Sequence, residues 1–271
     1  MFAALRQAIR SNRRAAPFRL LASAADKYLR AYHNDGFYEF DRNGERFALS
    51  SFAAWNGNAE TVIWDVGAHD GEWAETAHRM IPAARITSFE ILPPIAERLR
   101  ARNFDPQWFT LENVGLSDSD GEVEVSWNHS HDSTNAITPR SGGRWFEGAD
   151  VERVSCRTTT IDSYLATGKV SPRLLKIDTE GHDAAVLDGA AGLLSGPDAP
   201  AMIQFEYGET WLPARRTLGE VQARLESFGY AVGRLFPDHV AFKPYELADD
   251  HFRMGNMIAT RDDRLRRVLA A

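Results

Sequence analysis

Residues 62–71, "VIWDVGAHDG", contain the turn on which the fold prediction depends. An apolar run ends at Asp65, and two glycines, Gly67 and Gly71, then stand four positions apart around His69. Glycine allows unusual backbone dihedrals and a close approach of a ligand to the main chain. Taken alone, the stretch fits three structures: a nucleotide-binding turn, a metal site centred on His69, or a tight connection from a strand to a helix.

The segments around this turn alternate between strand and helix patterns from residue 61 to about residue 230. Apolar runs bounded by turn residues predict five core strands: "TVIWDVG", "RITSFE", "FTLENVGLSD", "RLLKIDTEG" and "AMIQFEY". Helical patterns follow four of them, in "GEWAETAHRMIP", "PPIAERLRARN", "DAAVLDGAAGLLSG" and "LGEVQARLESFG". This alternation predicts an α/β fold, with a mostly parallel seven-stranded sheet covered by helices on both faces. Between the third and fourth core strands, "GEVEVSW" alternates apolar and polar residues, as an exposed antiparallel strand does. The two late strands are "YAVGRLF" and an antiparallel "NMIATR".

The sequence predicts an N-terminal extension, a main domain that contains this pattern, and a long loop within that domain. Residues 1–58 form an N-terminal extension, with a helix over residues 1–33 broken near Pro17 and a hairpin around Asn43-Gly44. Residues 59–271 form the main domain. Within it, residues 128–150 are polar and glycine-bearing, and we expect a long loop that covers the substrate, since long loops in compact domains are usually functional.

Composition and charge exclude several classes of protein. The 271 residues are 44% hydrophobic and 25% charged, which is ordinary for a globular domain, and no apolar run has the roughly 20 residues of a membrane helix. Net charge is −7, although residues 1–30 hold seven Lys and Arg against one acid. The acidic remainder disfavours nucleic acid as a partner. The basic segment favours packing on the body or on the second subunit of a homodimer, or contact with an anionic surface.

Cysteine usage and the N-terminal residues predict the compartment. Cys156 is the single cysteine, so the chain forms no internal disulfide. Residues 1–30 carry arginines throughout and lack an uninterrupted apolar core, which argues against a secretory signal. We therefore expect a cytoplasmic protein.

Acidic residues recur where the predicted core strands end. Four strands end in an acid or an acid-bearing turn, and the remaining strand ends in a Ser-Asp pair. These residues are Asp65, Glu90, Asp178, Glu206 and the pair Ser117-Asp118. The carboxyl ends of parallel strands meet at one edge of the sheet, where ligands bind in such folds. Acids avoid burial unless they are paired or bind something, so this edge is the predicted site.

Two spacings bear on the ligand. The glycines follow G-x-x-x-G and not the dinucleotide pattern G-x-G-x-x-G. Glu90 lies 19 residues after Gly71, which is near the spacing at which an acid binds ribose hydroxyls in related sheets. Asp65 places negative charge at the loop, which suits a cationic ligand better than an anionic one.

Five stretches, in order, resemble the FkbM-type methyltransferases, a family of class I enzymes that depend on S-adenosylmethionine. They are "DVGAHDG", "SFE", "NVGLSD", "TTTIDSYL" and "LLKIDTEGHDAAVLDGA". The resemblance covers residues 61–207, and "KIDTEGHDAAVLDGA" is its most specific part. His69 departs from the pattern, since the family usually has Asn there. The resemblance implies a Rossmann-like class I methyltransferase fold and S-adenosylmethionine as the cofactor.

The resemblance also implies roles for individual residues. Asp65, Gly67, Ala68 and Gly71 would shape the methionine end of the cofactor pocket, and Glu90 would accept hydrogen bonds from both ribose hydroxyls. Ser117 and Asp118 would lie near the adenine. Asp178 would lie near the amino group and the transferable methyl. A sulfonium and an ammonium both suit these carboxylates.

Methyl transfer to a hydroxyl requires a placed nucleophile and benefits from a base. Candidate bases are Asp178, Glu180, His182 and Glu206. The prediction is an O-methyltransferase acting on a hydroxyl of a sugar or a small natural product. His129 and His131 join the candidates if the 128–150 loop folds over the site.

A divalent metal is a competing use for the same loop, since "HSHD" supplies His129, His131 and Asp132. A flexible pair of histidines two positions apart is weak evidence for a metal. Two other functions remain open from the residues alone. One is an NAD(P)-dependent oxidoreductase, which the missing G-x-G-x-x-G and the missing Tyr-x-x-x-Lys pair disfavour. The other is a non-catalytic domain that binds a partner through its basic N-terminus.

Overall fold

The computed structural model describes residues 2–57, 59–129, 135–137 and 150–271. In this part of the chain there are eleven strands and ten α-helices. The strands are β1 Thr61–Val66, β2 Ala84–Phe89, β3 Phe109–Glu112, β4 Gly115–Leu116, β5 Gly121–Asn128, β6 Val151–Thr159, β7 Leu174–Ile177, β8 Met202–Tyr207, β9 Ala231–Leu235, β10 Val240–Phe242 and β11 Gly255–Thr260. The helices are α1 Phe2–Asn12, α2 Ala16–Tyr32, α3 Glu45–Asn56, α4 Glu72–Met80, α5 Pro93–Arg100, α6 Ile161–Leu165, α7 Asp183–Asp188, α8 Ala191–Ser195, α9 Leu218–Ser227 and α10 Asp263–Ala270.

The main sheet has the strand order β10-β9-β11-β8-β7-β1-β2-β3. Pairing is parallel from β8 through β7, β1 and β2 to β3, which confirms the predicted α/β fold. The last strand in the chain, β11, is antiparallel to both β8 and β9, as predicted. The predicted count of seven strands is wrong by one in the described residues, because the short β10 adds an antiparallel edge beside β9. Chain order reverses between β1 and β7, where ligands bind in such sheets.

Helices cover both faces of this sheet. On one face α6 to α9 pack against Trp64, Ile177 and Phe205. On the other face α3, α4 and α10 pack against Ile63, Leu174 and other apolar strand residues. A second sheet, in the order β4-β6-β5, stands beside the main one, and its β5 is the exposed antiparallel strand that alternation of apolar and polar residues predicts.

A row of buried polar side chains crosses the face beneath α3 and α4. Strand register aligns Ser88 on β2, Asp65 on β1, Lys176 on β7 and Gln204 on β8. All four are buried, and the Lys176 Nζ lies 3.0 Å from the Asp65 Oδ1. Burial lowers the pKa of Lys176, but the neighbouring carboxylates outweigh it, so the pKa lies above its ordinary value and the ammonium persists. A buried charge of this kind requires its partner.

The predicted hairpin around Asn43-Gly44 is wrong, because these residues begin a helix. Gly44 has φ 102°, and a Cβ there would lie 2.5 Å from the Phe236 carbonyl oxygen. The Asn43 Oδ1 accepts a hydrogen bond from the Glu45 N–H at 2.9 Å and so caps α3. Gly44 therefore packs directly against the residue that follows β9. From there α3 continues into the core, where Leu49 and Phe52 are fully buried.

The helix predicted over residues 1–33 is confirmed as two helices, α1 and α2, that meet just before Pro17. Nearly every described side chain of both helices is exposed, including Leu5, Leu21 and Tyr28. Of the segment predicted as an extension, only α1 and α2 thus stand apart from the core, while α3 belongs to it. No helix in the described residues is both long enough and apolar enough to cross a bilayer.

Two other predicted elements are each divided in two. "FTLENVGLSD" forms β3 and β4 in different sheets, because the Asn113 Nδ2 donates to the Glu90 carbonyl oxygen at 2.8 Å and turns the chain. The helix predicted from Asp183 to Gly196 breaks between α7 and α8. A Cβ on Gly189 would lie 1.9 Å from the Ser117 carbonyl oxygen, so the backbone of another loop occupies that space.

Asp183, the first residue of α7, ties the loop after β7 to β8. Its Oδ1 accepts from the Glu206 N–H at 3.2 Å, and its Oδ2 accepts from the Thr179 hydroxyl at 3.1 Å. The carboxyl group is fully buried. Burial, followed by the charge of Asp178, raises the pKa of Asp183 to about 7.

We expect Lys176→Met to lower the free energy of unfolding by about 3–5 kcal/mol, because it leaves the Asp65 carboxylate buried without a cation. The double variant Asp65→Asn/Lys176→Met should recover most of that loss, since it removes both charges. Urea denaturation of the single and double variants measures the coupling. A double variant whose loss equals the sum of the single losses would contradict a paired role.

Asp183→Asn should stabilise the protein at high pH and not at low pH. Folded Asp183 holds its proton up to about pH 7 against an ordinary value of 3.8, so the wild type loses stability as pH rises across that interval. Asparagine is neutral throughout, so we expect Tm to rise by roughly 2–8 °C at pH 8 and to change little at pH 4. Scanning calorimetry measures it, with the exposed Asp198→Asn as control. An equal change at both pH values would refute the prediction.

Candidate active site

A cavity of about 940 Å³ opens at the carboxyl ends of β1, β2 and β7. Its walls include the turn after β1, the inner face of α4, the residues after β2, the loop after β7 and the small sheet. Residues 38–41 and the start of α3 close one side of it. The cavity thus lies at the sheet edge that the strand-end acids predict.

The turn after β1 depends on Gly67. Its φ is 83°, and a Cβ there would lie 1.8 Å from the Asp178 carbonyl oxygen, so the ends of β1 and β7 approach too closely for any side chain. The N–H groups of Gly67 and Ala68 both donate to the Phe89 carbonyl oxygen at 3.0 Å. Both residues line the cavity, as predicted. Gly71 instead packs behind it, where a Cβ would lie 2.5 Å from the Leu99 Cδ1.

Glu90 is held in the cavity wall by two backbone N–H groups. Its Oε2 accepts from the His69 N–H and its Oε1 from the Leu92 N–H, both at 2.9 Å. Burial raises the pKa of Glu90, and the two backbone donors oppose that rise. Each oxygen keeps a further lone pair, so the carboxylate can accept two hydroxyl hydrogens from a ligand in the cavity. His69 contributes its backbone through a positive φ of 46°.

The two carboxylates at the ends of β1 and β7 differ in access. Asp178 lines the cavity with 41% of its side chain exposed, and its Oδ2 lies 3.7 Å from the Lys176 Nζ. Asp65 is fully buried behind Lys176. A ligand would therefore meet Asp178 and Lys176, while Asp65 acts on it only through Lys176.

The loop after β7 brings two further predicted residues to the cavity, Glu180 and His182. Glu180 has φ 55° and precedes Gly181 with φ 101°, so the loop reverses sharply before α7. The His182 Nε2 lies 2.9 Å from the Ser117 hydroxyl oxygen. Burial lowers the pKa of His182, which favours a neutral imidazole able to exchange a proton.

The remaining predicted residues lie behind this wall. Ser117 is buried, and its hydroxyl donates to the Asp118 Oδ1 at 3.2 Å, so both touch the cavity only through His182. Glu206 lies on β8, outside the cavity lining, and its charge acts on Tyr38, a residue of the cavity wall. Burial, followed by the charges of Glu206, Glu209 and Glu180, raises the pKa of Tyr38.

Of the three residues weighed as alternative metal ligands, the structure describes His129. The His129 Nε2 lies 3.2 Å from the Glu152 Oε2, and the ring packs on Trp127 with 3.9 Å between ring centroids. His131 and Asp132 lie outside the described residues. In the part of the chain that the structure describes, no three metal-ligating side chains form a group. Most of the predicted 128–150 loop is likewise outside, but residues 135–137 line the cavity.

The cavity lining also contains residues that were not predicted from the sequence, among them Glu45, Trp73 and Lys176. A signal existed for Lys176, because a lysine inside the apolar strand "LLKI" must be buried and therefore paired. Glu45 gives no such signal, since it lies outside every motif and reaches the cavity only through the packing of α3. Trp73 reads as an ordinary packing residue of α4.

Among solved structures, the chain is similar to several methyltransferases at low identity. The precorrin-6y C5,15-methyltransferase from Geobacter metallireducens GS-15 is 14% identical, covers 80% of this chain and 87% of its own, and has a TM-score of 0.42. The magnesium protoporphyrin IX methyltransferase from Synechocystis PCC 6803, solved with bound S-adenosylmethionine, is 11% identical over 94% and 96%, with a TM-score of 0.41. These values are too low to carry a comparison of sites.

Sequence comparison is more decisive. No curated protein sequence matches the chain. The sequence model of the methyltransferase FkbM domain matches residues 65–232, which is more than half of the 271 residues and includes the glycine turn, Glu90 and the loop after β7. The chain therefore belongs to the FkbM methyltransferase domain family and is an S-adenosylmethionine-dependent methyltransferase.

Proposed function

We propose that the protein methylates a hydroxyl group of a sugar or small natural product and holds S-adenosylmethionine in the cavity at the carboxyl ends of β1, β2 and β7. Glu90 carries the cofactor half of this proposal. Its two oxygens are fixed by backbone N–H groups at 2.9 Å and face a cavity of about 940 Å³, so they are placed to accept a pair of vicinal hydroxyls. The bound cofactor supplies an electrophilic methyl group on a sulfonium.

The residues of the cavity divide into two sets by what they can do. Gly67 and Ala68 line the cavity, and Gly67 presents only backbone there, because the approach of Asp178 leaves no room for a side chain. The carboxyl group of Asp178 would stabilise the positive charge of the bound cofactor. Lys176 lies beside it, with its Nζ 3.7 Å from the Asp178 Oδ2, and helps to orient the carboxyl group.

The second half of the proposal concerns the acceptor hydroxyl, which loses its proton when its oxygen is methylated. Asp178, Glu180 and His182 reach the cavity, and each can take a hydroxyl proton as the acceptor oxygen is methylated. The neutral imidazole of His182 can pass a proton on toward Ser117 and Asp118, which lie in a hydrogen-bonded chain behind it. Glu206 acts at a distance, through the charge that it adds near Tyr38. O-methylation is favoured because carboxylates and a neutral histidine suit a hydroxyl acceptor.

The proposal also covers the compartment of the protein, its association with a second copy and the loop that covers its substrate. The buried Cys156 has a pKa raised to about 11 by burial, which suits a thiol that stays reduced in the cytoplasm. The exposed apolar side chains and the seven bases of residues 1–30 suit a homodimer contact with the acidic body of a second copy. Residues 135–137 on the cavity wall suit a substrate lid over residues 128–150.

We expect isothermal titration calorimetry to show binding of S-adenosylmethionine and S-adenosylhomocysteine, and none of NAD. Glu90→Ala should weaken both cofactor forms by about 10- to 100-fold, because two hydrogen bonds to a charged acceptor are lost. Glu97→Gln, on the exposed face of α5, is the matched control and should bind as the wild type does. Tight NAD binding without S-adenosylmethionine binding would sink the proposed function.

With a panel of sugars and hydroxylated natural products, we expect release of S-adenosylhomocysteine together with a mass gain of one methylene in the acceptor. Asp178→Asn and Glu180→Gln should lower kcat by about 100-fold or more, with a smaller change in cofactor affinity for Glu180→Gln. Mass spectrometry of the product locates the new methyl. Methylation of amines alone, with every hydroxyl acceptor inert, would contradict the O-methylation proposal.

A further inference from the structure

A further carboxylate, half-buried, reaches the cavity from outside the segment that matches the family. Glu45 is the first residue of α3, twenty positions before that segment begins. It lines the cavity together with Gly67, Lys176 and Asp178. Gln204 on β8 holds Glu45, whereas Glu90 follows β2, and the strands β7 and β1 lie between β8 and β2.

The Glu45 carboxylate is held by two amides from different elements. Its Oε1 accepts from the Gln204 Nε2 on β8, and its Oε2 accepts from the Asn43 Nδ2, both at 2.7 Å. The Asn43 carbonyl oxygen accepts in turn from the Asn34 Nδ2, which also donates to the Leu235 carbonyl oxygen. Neutral amides on both sides fix the position of the carboxylate without cancelling its charge.

The charge around Glu45 favours an incoming cation. The carboxylates of Asp65, Asp178 and Glu45 all act on the single ammonium of Lys176. The ammonium is 3.0 Å from Asp65, which lies behind the lining, so Asp178 and Glu45 are the carboxyl groups that a ligand would meet beside it. Burial is the main cause that raises the pKa of Glu45, and a bound cation would relieve that cost.

A buried acceptor beside Glu45 also lacks a donor. Gln204 is almost fully buried, and its Oε1 has no hydrogen-bond partner among the residues that the structure describes. Its Nε2 is the atom that holds Glu45. Gln204 is not part of the cavity lining, so its amide fixes Glu45 from behind the cavity wall.

We propose that Glu45 binds the α-ammonium group of the methionine moiety of S-adenosylmethionine. This assignment rests on the proposed function, because it concerns the amino-acid end of the same cofactor. An ammonium has three N–H donors and one positive charge, which match a fixed carboxylate in a cavity that Asp178 also lines. Glu90 and Glu45 then hold the two ends of one cofactor: Glu90 the ribose and Glu45 the amino acid.

Two adenosine ligands separate this role from a structural one. 5′-Methylthioadenosine has the adenine, the ribose and the sulfur of S-adenosylmethionine but no amino-acid group. We expect Glu45→Gln to weaken S-adenosylmethionine by about 10- to 100-fold in calorimetry and to leave 5′-methylthioadenosine within about twofold of the wild type. Glu97→Gln is again the control, since Glu97 lies on the exposed face of α5 and outside the cavity lining.

Every outcome decides the assignment. Equal loss for both ligands, or a fall in Tm that accounts for the loss, means that Glu45 only anchors α3. No loss for either ligand assigns Glu45 to another ligand, such as the acceptor, and overturns the inference. If Glu45→Gln does not fold, Glu45→Asp keeps the charge, shortens its reach and must show the same selective loss. A wild type that binds neither ligand refutes the proposed function instead.

Discussion

The cavity depends on one buried ion pair. Lys176 is in the middle of the sheet, 3.0 Å from Asp65 on the neighbouring strand and 3.7 Å from Asp178 at the mouth of the cavity. A lysine in that position requires negative partners, and the partners are residues that the cavity needs for other reasons. The same ammonium therefore stabilises the alignment of β1 with β7 and fixes the charge that a cationic cofactor meets. A change to this ion pair would therefore alter both the strand register and the charge in the cavity.

Backbone geometry supplies the second half of the arrangement. Gly67 lies so close to the Asp178 carbonyl oxygen that the ends of β1 and β7 touch through main chain alone. The next residues turn their N–H groups to Phe89 and to Glu90. The turn after β1 thus fixes the position of the acid after β2, and neither depends on the identity of the side chain at His69.

Much of this was predictable from the sequence, because periodicity and strand-end residues report on local structure. The parallel core, the small antiparallel strand β5 and the antiparallel β11 follow from apolar patterns in "VIWDV", "EVEVSW" and "NMIAT". Gly67, Glu90, Asp178, Glu180 and His182 were predicted because strands in a parallel sheet deliver their ends to one edge. All five line the cavity.

What the sequence did not predict depends on packing between distant segments. Asn43-Gly44 has the composition of a hairpin turn, but contact with Phe236, almost 200 residues later, converts it into a helix start. Gly189 breaks a helix because the Ser117 backbone occupies the space of a side chain. Glu45 became a cavity residue for the same reason, since only the docking of α3 brings it there.

The position of α3 also has a consequence for how such domains can be divided or exchanged. The segment that defines the family begins at residue 65, yet the wall of its cavity starts at residue 38 and one helix of its core at residue 45. A fragment or chimera cut at the family boundary would open the sheet face beneath α3 and expose the buried Lys176 and Gln204 to water. The unit that forms the cavity is thus longer than the segment that defines the family. Substitutions before residue 65 can change the shape and charge of the cavity while that segment stays unchanged.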